Sequence, residues 1–248
     1  MRYRIGLAIL TLGTSLLIAA TGCGSRSAKV HNSKGLVAYA KGDLAEAVAQ
    51  YDQALKLSPD QAGIYNNRGL ALFRQGHAEK AMLDFDKALK LDPKLTPAYN
   101  NRGLAYYSGG NLEKALADFS QAVKLNPKDA KAHNGQGLIY FRRSEFAKAL
   151  VSYNRALQLD PNLAEAYNNR GSIYYNQGQM EKALTDFGQA IRLNPDSGIA
   201  CFDRGLVMQR LGLKEKAIAD FRRCLECKAS PGVRQKAEQH LRELGAKP

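Results

Sequence analysis

The stretch from Ala164 to Ser197 reads AEAYNNRGSIYYNQGQMEKALTDFGQAIRLNPDS, and its punctuation decides the reading of the whole chain. Gly171 is followed by a turn glycine, Gly178, then by Ala183, Phe187, Ala190 and a closing Pro195. The same marks recur without insertions. Gly35, Gly69, Gly103, Gly137, Gly171 and Gly205 stand 34 residues apart, as do Pro59, Pro93, Pro127, Pro161 and Pro195. Self-similarity at one fixed period means a small unit that buries its apolar face only by stacking on its neighbours. Six copies fit, spanning 28–61, 62–95, 96–129, 130–163, 164–197 and 198–231. A length of 248 residues alone suggests one or two domains. The unbroken period argues instead for one continuous array.

Each unit reads as two antiparallel helices, A over about unit positions 1–14 and B over about 16–30. Glycine at position 8 and alanine at position 20 are small where the two helices cross. Leucine at position 30 closes helix B, and the Asp/Asn/Ser-Pro pair after it ends the helix. With an aromatic at positions 4 and 24, alanine at 27 and proline at 32, the unit resembles the tetratricopeptide repeat. That resemblance implies an all-α, right-handed superhelical solenoid of helix-turn-helix units that serves as an interaction scaffold. Residues 232–248 supply a capping helix and tail, with Val233, Ala237, Leu241 and Leu244 on one face.

A second pattern runs through the charges. Position 7 is Arg68, Arg102, Arg170 and Arg204, and position 23 of the same four repeats is Asp84, Asp118, Asp186 and Asp220. Repeat four loses both, with Gln136 and Ser152. Charges that appear and vanish together predict Arg–Asp bridges between helices A and B of one repeat, and assign these arginines to structure rather than to a ligand.

The N-terminus bears on compartment. MRYR is a short basic segment, and the run from Ile5 to Ala20 has signal-peptide length, below the ~20 apolar residues of a membrane span. Ala20-Thr21-Gly22-Cys23 resembles a bacterial lipobox. That resemblance implies a signal peptide over 1–22, lipidation of Cys23 and a short anchored linker over 23–27. Gly24, not Asp, follows the cysteine. By analogy this places the protein on the outer membrane facing the periplasm, or on the outer face of the cytoplasmic membrane in a Gram-positive cell. The net charge is +13, of which Arg2 and Arg4 contribute two, leaving +11 on the remainder. A basic surface favours anionic partners, and an envelope location demotes nucleic acid among them.

The resemblance places the inner, concave surface on helix A, mainly positions 2, 5, 9, 12 and 13. Position 5 is Asn32, Asn66, Asn100, Asn134 and Asn168. Position 9 is leucine except for Ser172, and position 12 is Tyr39, Phe73, Tyr107, Phe141 and Tyr175. Position 13 adds Arg74, Arg142 and Arg210. Amides that both donate and accept suit a peptide backbone, leucines and aromatics its apolar side chains, and arginines its acids. Asparagine at position 5 has little packing duty on this reading and is weighted most. The expected groove spans repeats one to five. The competing use of the chain is a tether to cell wall or anionic membrane through its charge.

Four cysteines and four histidines are too scattered for a metal framework. Cys201, Cys224 and Cys227 occupy core slots of repeat six, where a disulfide from Cys201 to either of the others is the alternative to free thiols. No catalytic constellation, metal site or cofactor motif emerges. The expectation is a non-catalytic protein without cofactor that binds an envelope protein or peptide segment.

Overall fold

The computed structural model describes residues 26–247. The signal peptide expected over 1–22, Cys23 and the linker up to residue 25 lie outside the described residues. Helix α1 covers 26–41, so Arg26 and Ser27 begin a helix rather than continue a linker. Helices then follow in pairs: α2 (Leu44–Leu57); α3 (Ala62–Arg74) and α4 (Ala78–Leu91); α5 (Thr96–Ser108) and α6 (Leu112–Leu125); α7 (Ala130–Arg142) and α8 (Phe146–Leu159); α9 (Ala164–Asn176) and α10 (Met180–Leu193); α11 (Gly198–Arg210) and α12 (Lys214–Glu226). A last helix, α13, spans Pro231–Glu243. Among the described residues there is no strand, only one isolated bridge between Ser197 and Lys228. No described helix is long and apolar enough to cross a membrane.

Local chemistry marks the boundaries. Asp43, Asp129, Ser197 and Ser230 cap α2, α7, α11 and α13 by accepting from backbone N–H groups of the first turn. Between repeats, Asp92, Asn126 and Asp160 accept from the backbone N–H two residues on, folding the Asx-Pro corner. Between helices A and B, the chain turns through a left-handed residue: Gly42, Gly76, Gly110, Gly178 and Gly212 have φ between 73° and 86°. Repeat four uses Ser144 there, at φ 60°.

The chain divides into two compact units, up to Asp118 and from Phe119, with the division inside α6. In the first unit, Tyr51 and Phe85 fill the cores of repeats one and two, with Ala47, Ala54, Ala81 and Ala88 wholly buried around them. A Cβ at Gly35 would sit 2.5 Å from the Tyr51 ring, and one at Gly69 2.8 Å from Phe85. The position-8 glycine is therefore the slot for the position-24 ring. Ile64 and Ala71 of α3 pack on Tyr51, Ala54 and Leu55 of α2, which shows how one repeat covers the next.

The second unit repeats this logic with Tyr153, Phe187 and Phe221 against Gly137, Gly171 and Gly205. At its end, Ala237 and Leu241 of α13 are fully buried with Phe202, Phe221 and Cys224, while Val233 and Leu244 pack against the same cluster, as the sequence predicts for a cap. The His240 ring stacks on Phe221 at 5.2 Å. Gly198 opens repeat six because Lys228 and Ala229 pass close by; a Cβ there would lie 2.9 Å from the Lys228 carbonyl. Cys201, Cys224 and Cys227 are free thiols, with the first two buried. Burial pushes Cys201 up to about 12 and Cys224 up to about 11, so neither is a thiolate at neutral pH.

Candidate peptide-binding face on the A helices

Positions 5, 9 and 12 lie four and three residues apart and share one side of each A helix. The structure shows how much of that side the neighbouring repeats consume.

The four Arg–Asp bridges form as the charge pattern predicts. Arg68, Arg102, Arg170 and Arg204 each grip the aspartate of their own repeat through both Nε and Nη2, at 2.6 to 2.8 Å. The four aspartates are at most 5% exposed, so these are not surface pairs. A further contact is new: the remaining Nη1 reaches back one repeat. Arg68 donates to Asp52 and Arg102 to Asp86, each at 2.6 Å, and Arg170 to Asn154 at 2.7 Å. Hydrogen bonds to Asp84, opposed by burial and joined by those to Asp52, hold the Arg68 guanidinium above its usual range. Arg68, Arg102 and Arg170 thus each fasten two helices of one repeat and the B helix of the repeat before. Arg204, with Gly188 behind it, bonds Asp220. Gln136 keeps the backward link alone, donating to Ser120 at 3.2 Å.

The position-5 asparagines correct the expectation placed on them. Their side-chain carbonyls accept from the position-6 amide of the next repeat: Asn67 to Asn32 at 3.3 Å, Asn101 to Asn66 at 2.8 Å, Asn169 to Asn134 at 3.2 Å. Repeat six carries Asp203 at position 6, which cannot donate, and the bond reverses so that Asn168 donates to Asp203 at 3.0 Å. Asn66, Asn100 and Asn168 are under 10% exposed. This face of the A helices is thus an amide ladder joining repeats, and the assumption that position 5 has little packing duty fails. Asp203, on α11 beside Asn168 of α9, is pushed up to about 6 by burial, against the pull of Asn168 and Lys236.

The aromatics of position 12 are shared between surface and core. Tyr39, Phe73, Tyr107, Phe141 and Tyr175 are all half-buried, and Tyr39, Phe73, Phe141 and Tyr175 pack against the core of their own repeats. Arg74 lies 4.9 Å over Tyr39, and Arg210 5.4 Å over Tyr175, each capping the ring of the preceding repeat. Arg74 and Arg142 remain exposed.

Most open are the leucines of position 9. In the first unit Leu36 is 47% and Leu104 38% exposed, with Leu70 half-buried between them in sequence. In the second unit Leu138, Ser172 and Leu206 are half-buried. Among the described residues no three His, Cys, Asp or Glu side chains are placed to hold a metal ion.

An array of helical hairpins stacked through such ladders defines a class of helical-repeat protein. Three family models place the chain within it more narrowly, those described as TPR repeat (35–76, 103–143 and 137–178) and tetratricopeptide repeat (62–95, 164–197 and 199–230). The chain belongs to the tetratricopeptide repeat family. No curated protein matches it. Among solved structures, it is similar to a tetratricopeptide repeat protein from Parabacteroides merdae, with 23% identity, TM-score 0.70, 85% of this chain and 82% of that one. It is also similar to Pseudomonas aeruginosa pilF, with 15% identity, TM-score 0.69, 88% of this chain and 99% of that one. A third is the Thermus thermophilus protein TTC0263, with 22% identity, TM-score 0.65, 73% of this chain and 99% of that one. These likenesses concern the fold. The fold supports a protein–protein interaction scaffold.

Proposed function

We propose that the protein is a non-catalytic scaffold that holds a peptide or protein segment on the exposed face of its A helices. The observation that carries this reading is the leucine row of the first unit, Leu36 and Leu104 open and Leu70 half-buried between them in sequence, while the amides and arginines beside it are engaged between repeats. A row of apolar side chains left open at regular spacing suits contact with an extended or helical segment. Within the first unit, Tyr39, Phe73 and Tyr107 flank that row on the same side of their helices; in the second unit, Phe141, Arg142 and Tyr175 hold the corresponding positions. Asn32, Asn66, Asn134 and Asn168 tie their A helices to the next and so hold the face in register.

We place the protein in the bacterial envelope, lipid-anchored at Cys23, where it assists assembly of an envelope complex such as a pilus, secretion or cell-wall machine. This placement rests on the basic start, the apolar run and the Ala20-Thr21-Gly22-Cys23 sequence. Intact mass of the N-terminal peptide from membrane-purified protein tests the anchor: the account expects Cys23 at the N-terminus carrying acyl chains. Crosslinked capture from a solubilised envelope tests the face. A segment captured by the wild type and lost with Leu36→Asp and Leu104→Asp together supports it, and equal capture by both proteins contradicts it.

A further inference from the structure

In repeats two, three, five and six, helix A presents positions 3 and 10 to helix B of the preceding repeat, and that helix covers them. Ile64, Ala98, Ala166 and Ala200 at position 3, and Ala71, Ala105, Ile173 and Val207 at position 10, are all under 10% exposed. The same positions of α1 are Val30 and Val37, and these stand 50% and 54% exposed. Among the described residues no helix lies over them. They line a concavity of about 670 Å³ together with Arg26, Lys29, Lys34 and Lys41. None of these four cations makes an ion pair among the described residues. The two acids at its edge have other duties: Asp43 caps α2, and Glu46 accepts from Gln50 at 2.7 Å.

The charge of the face selects what covers it. A second copy of α1 would bring four cations against four, and residues 1–22 of this chain bring Arg2 and Arg4 and no acid. Two valines ringed by long cationic side chains match the headgroup region of an anionic bilayer, where apolar groups enter the interface and ammonium and guanidinium groups meet phosphates. We propose that this face of α1 docks on an anionic lipid surface, with Val30 and Val37 entering the headgroup layer and Arg26, Lys29, Lys34 and Lys41 pairing with lipid phosphates. The proposal uses residues 26–46 and does not require acylation of Cys23, which the mass of the N-terminal peptide reads separately. Docked in this way, the first repeat abuts the membrane while its leucine row, at position 9 of the same helix, stays on another side.

Hydrogen–deuterium exchange of the full chain tests it, without vesicles and with vesicles of phosphatidylcholine alone or mixed with phosphatidylglycerol. The expected result is slowed exchange over 26–41 with the phosphatidylglycerol vesicles only. It should be lost in high salt and in the Lys29→Gln, Lys34→Gln, Lys41→Gln variant, whose unchanged thermal melting shows that it is folded. The proposal is overturned if phosphatidylcholine protects equally, if the variant keeps the protection, or if neither vesicle protects. Protection over 26–41 that grows with protein concentration in the absence of vesicles also overturns it and assigns the face to a second copy.

Discussion

In repeat six the outward side of the hairpin carries α13, and Phe202, Phe221 and Cys224 are sealed beneath Ala237 and Leu241. In repeat one the face that receives a helix in repeats two, three, five and six carries nothing among the described residues, and Val30 and Val37 are half in solvent. Chemically similar residues at the same unit position are core in one place and surface in the other. Burial here is a property of the stack, set by whether a neighbour is present, and stability is accordingly a sum of hairpin and interface contributions. The C-terminal end is closed by α13, while among the described residues the N-terminal face is apolar and cationic.

The sharpest contrast between interior and end lies at position 7. Arg170→Ala removes both hydrogen bonds from the Asp186 carboxylate, which is only 3% exposed, and should destabilise by about 3–5 kcal/mol in denaturant unfolding. Lys34→Ala, at the same position of repeat one, should fall within about 0.5 kcal/mol. Equal effects would break the comparison. Next in size is the pair Leu241→Ala and Val37→Ala: the first opens a cavity under the cap and should cost about 2–4 kcal/mol, the second under about 1.

Asp203 tests the capped end through pH. Its folded value near 6 exceeds the ordinary 3.8 of a free aspartate, so its charged form opposes folding fully above about pH 6 and not at all below about pH 4. Asp203→Asn restores the residue that repeats two, three and five carry at Asn67, Asn101 and Asn169, and offers a donor to the buried Asn168 carbonyl. It should stabilise by about 1–2 kcal/mol at pH 7, with the gain from removing the charge fading as the pH drops toward 4. Thermal melting at the two pH values decides it. A small gain belongs to the turn of repeat four: Ser144→Gly relieves a left-handed φ of 60° and should raise stability by about 0.5–1 kcal/mol in thermal melting.

Much of this could be read from residues before geometry. The 34-residue period places every hairpin, and the joint loss of charge at Gln136 and Ser152 is enough to pair Arg68 with Asp84. Within one repeat, such a pair needs only the knowledge that two helices lie antiparallel. Contacts between repeats were harder, because they depend on the angle at which hairpins stack. The reach of Arg68 to Asp52 and of Arg102 to Asp86 is written in the acceptors at position 25 of the preceding repeats, a covariation visible only once the offset is known. The asparagine ladder misled for the same reason: an offset of 35 residues joins position 6 to position 5, turning apparent ligand donors into fastenings between helices. The open leucines Leu36 and Leu104 became the better candidates only when burial separated them from the amides beside them.

The claim that the leucine row holds the segment, while the N-terminal face of α1 serves a lipid surface instead, is tested most directly by titration. The captured segment, made as a synthetic peptide, is titrated by calorimetry into wild type, Leu104→Asp, and the Lys29→Gln, Lys34→Gln, Lys41→Gln variant. The account predicts at least about tenfold weaker binding by Leu104→Asp and unchanged binding by the lysine variant. Undiminished binding by Leu104→Asp, or binding lost with the three lysines, would contradict it.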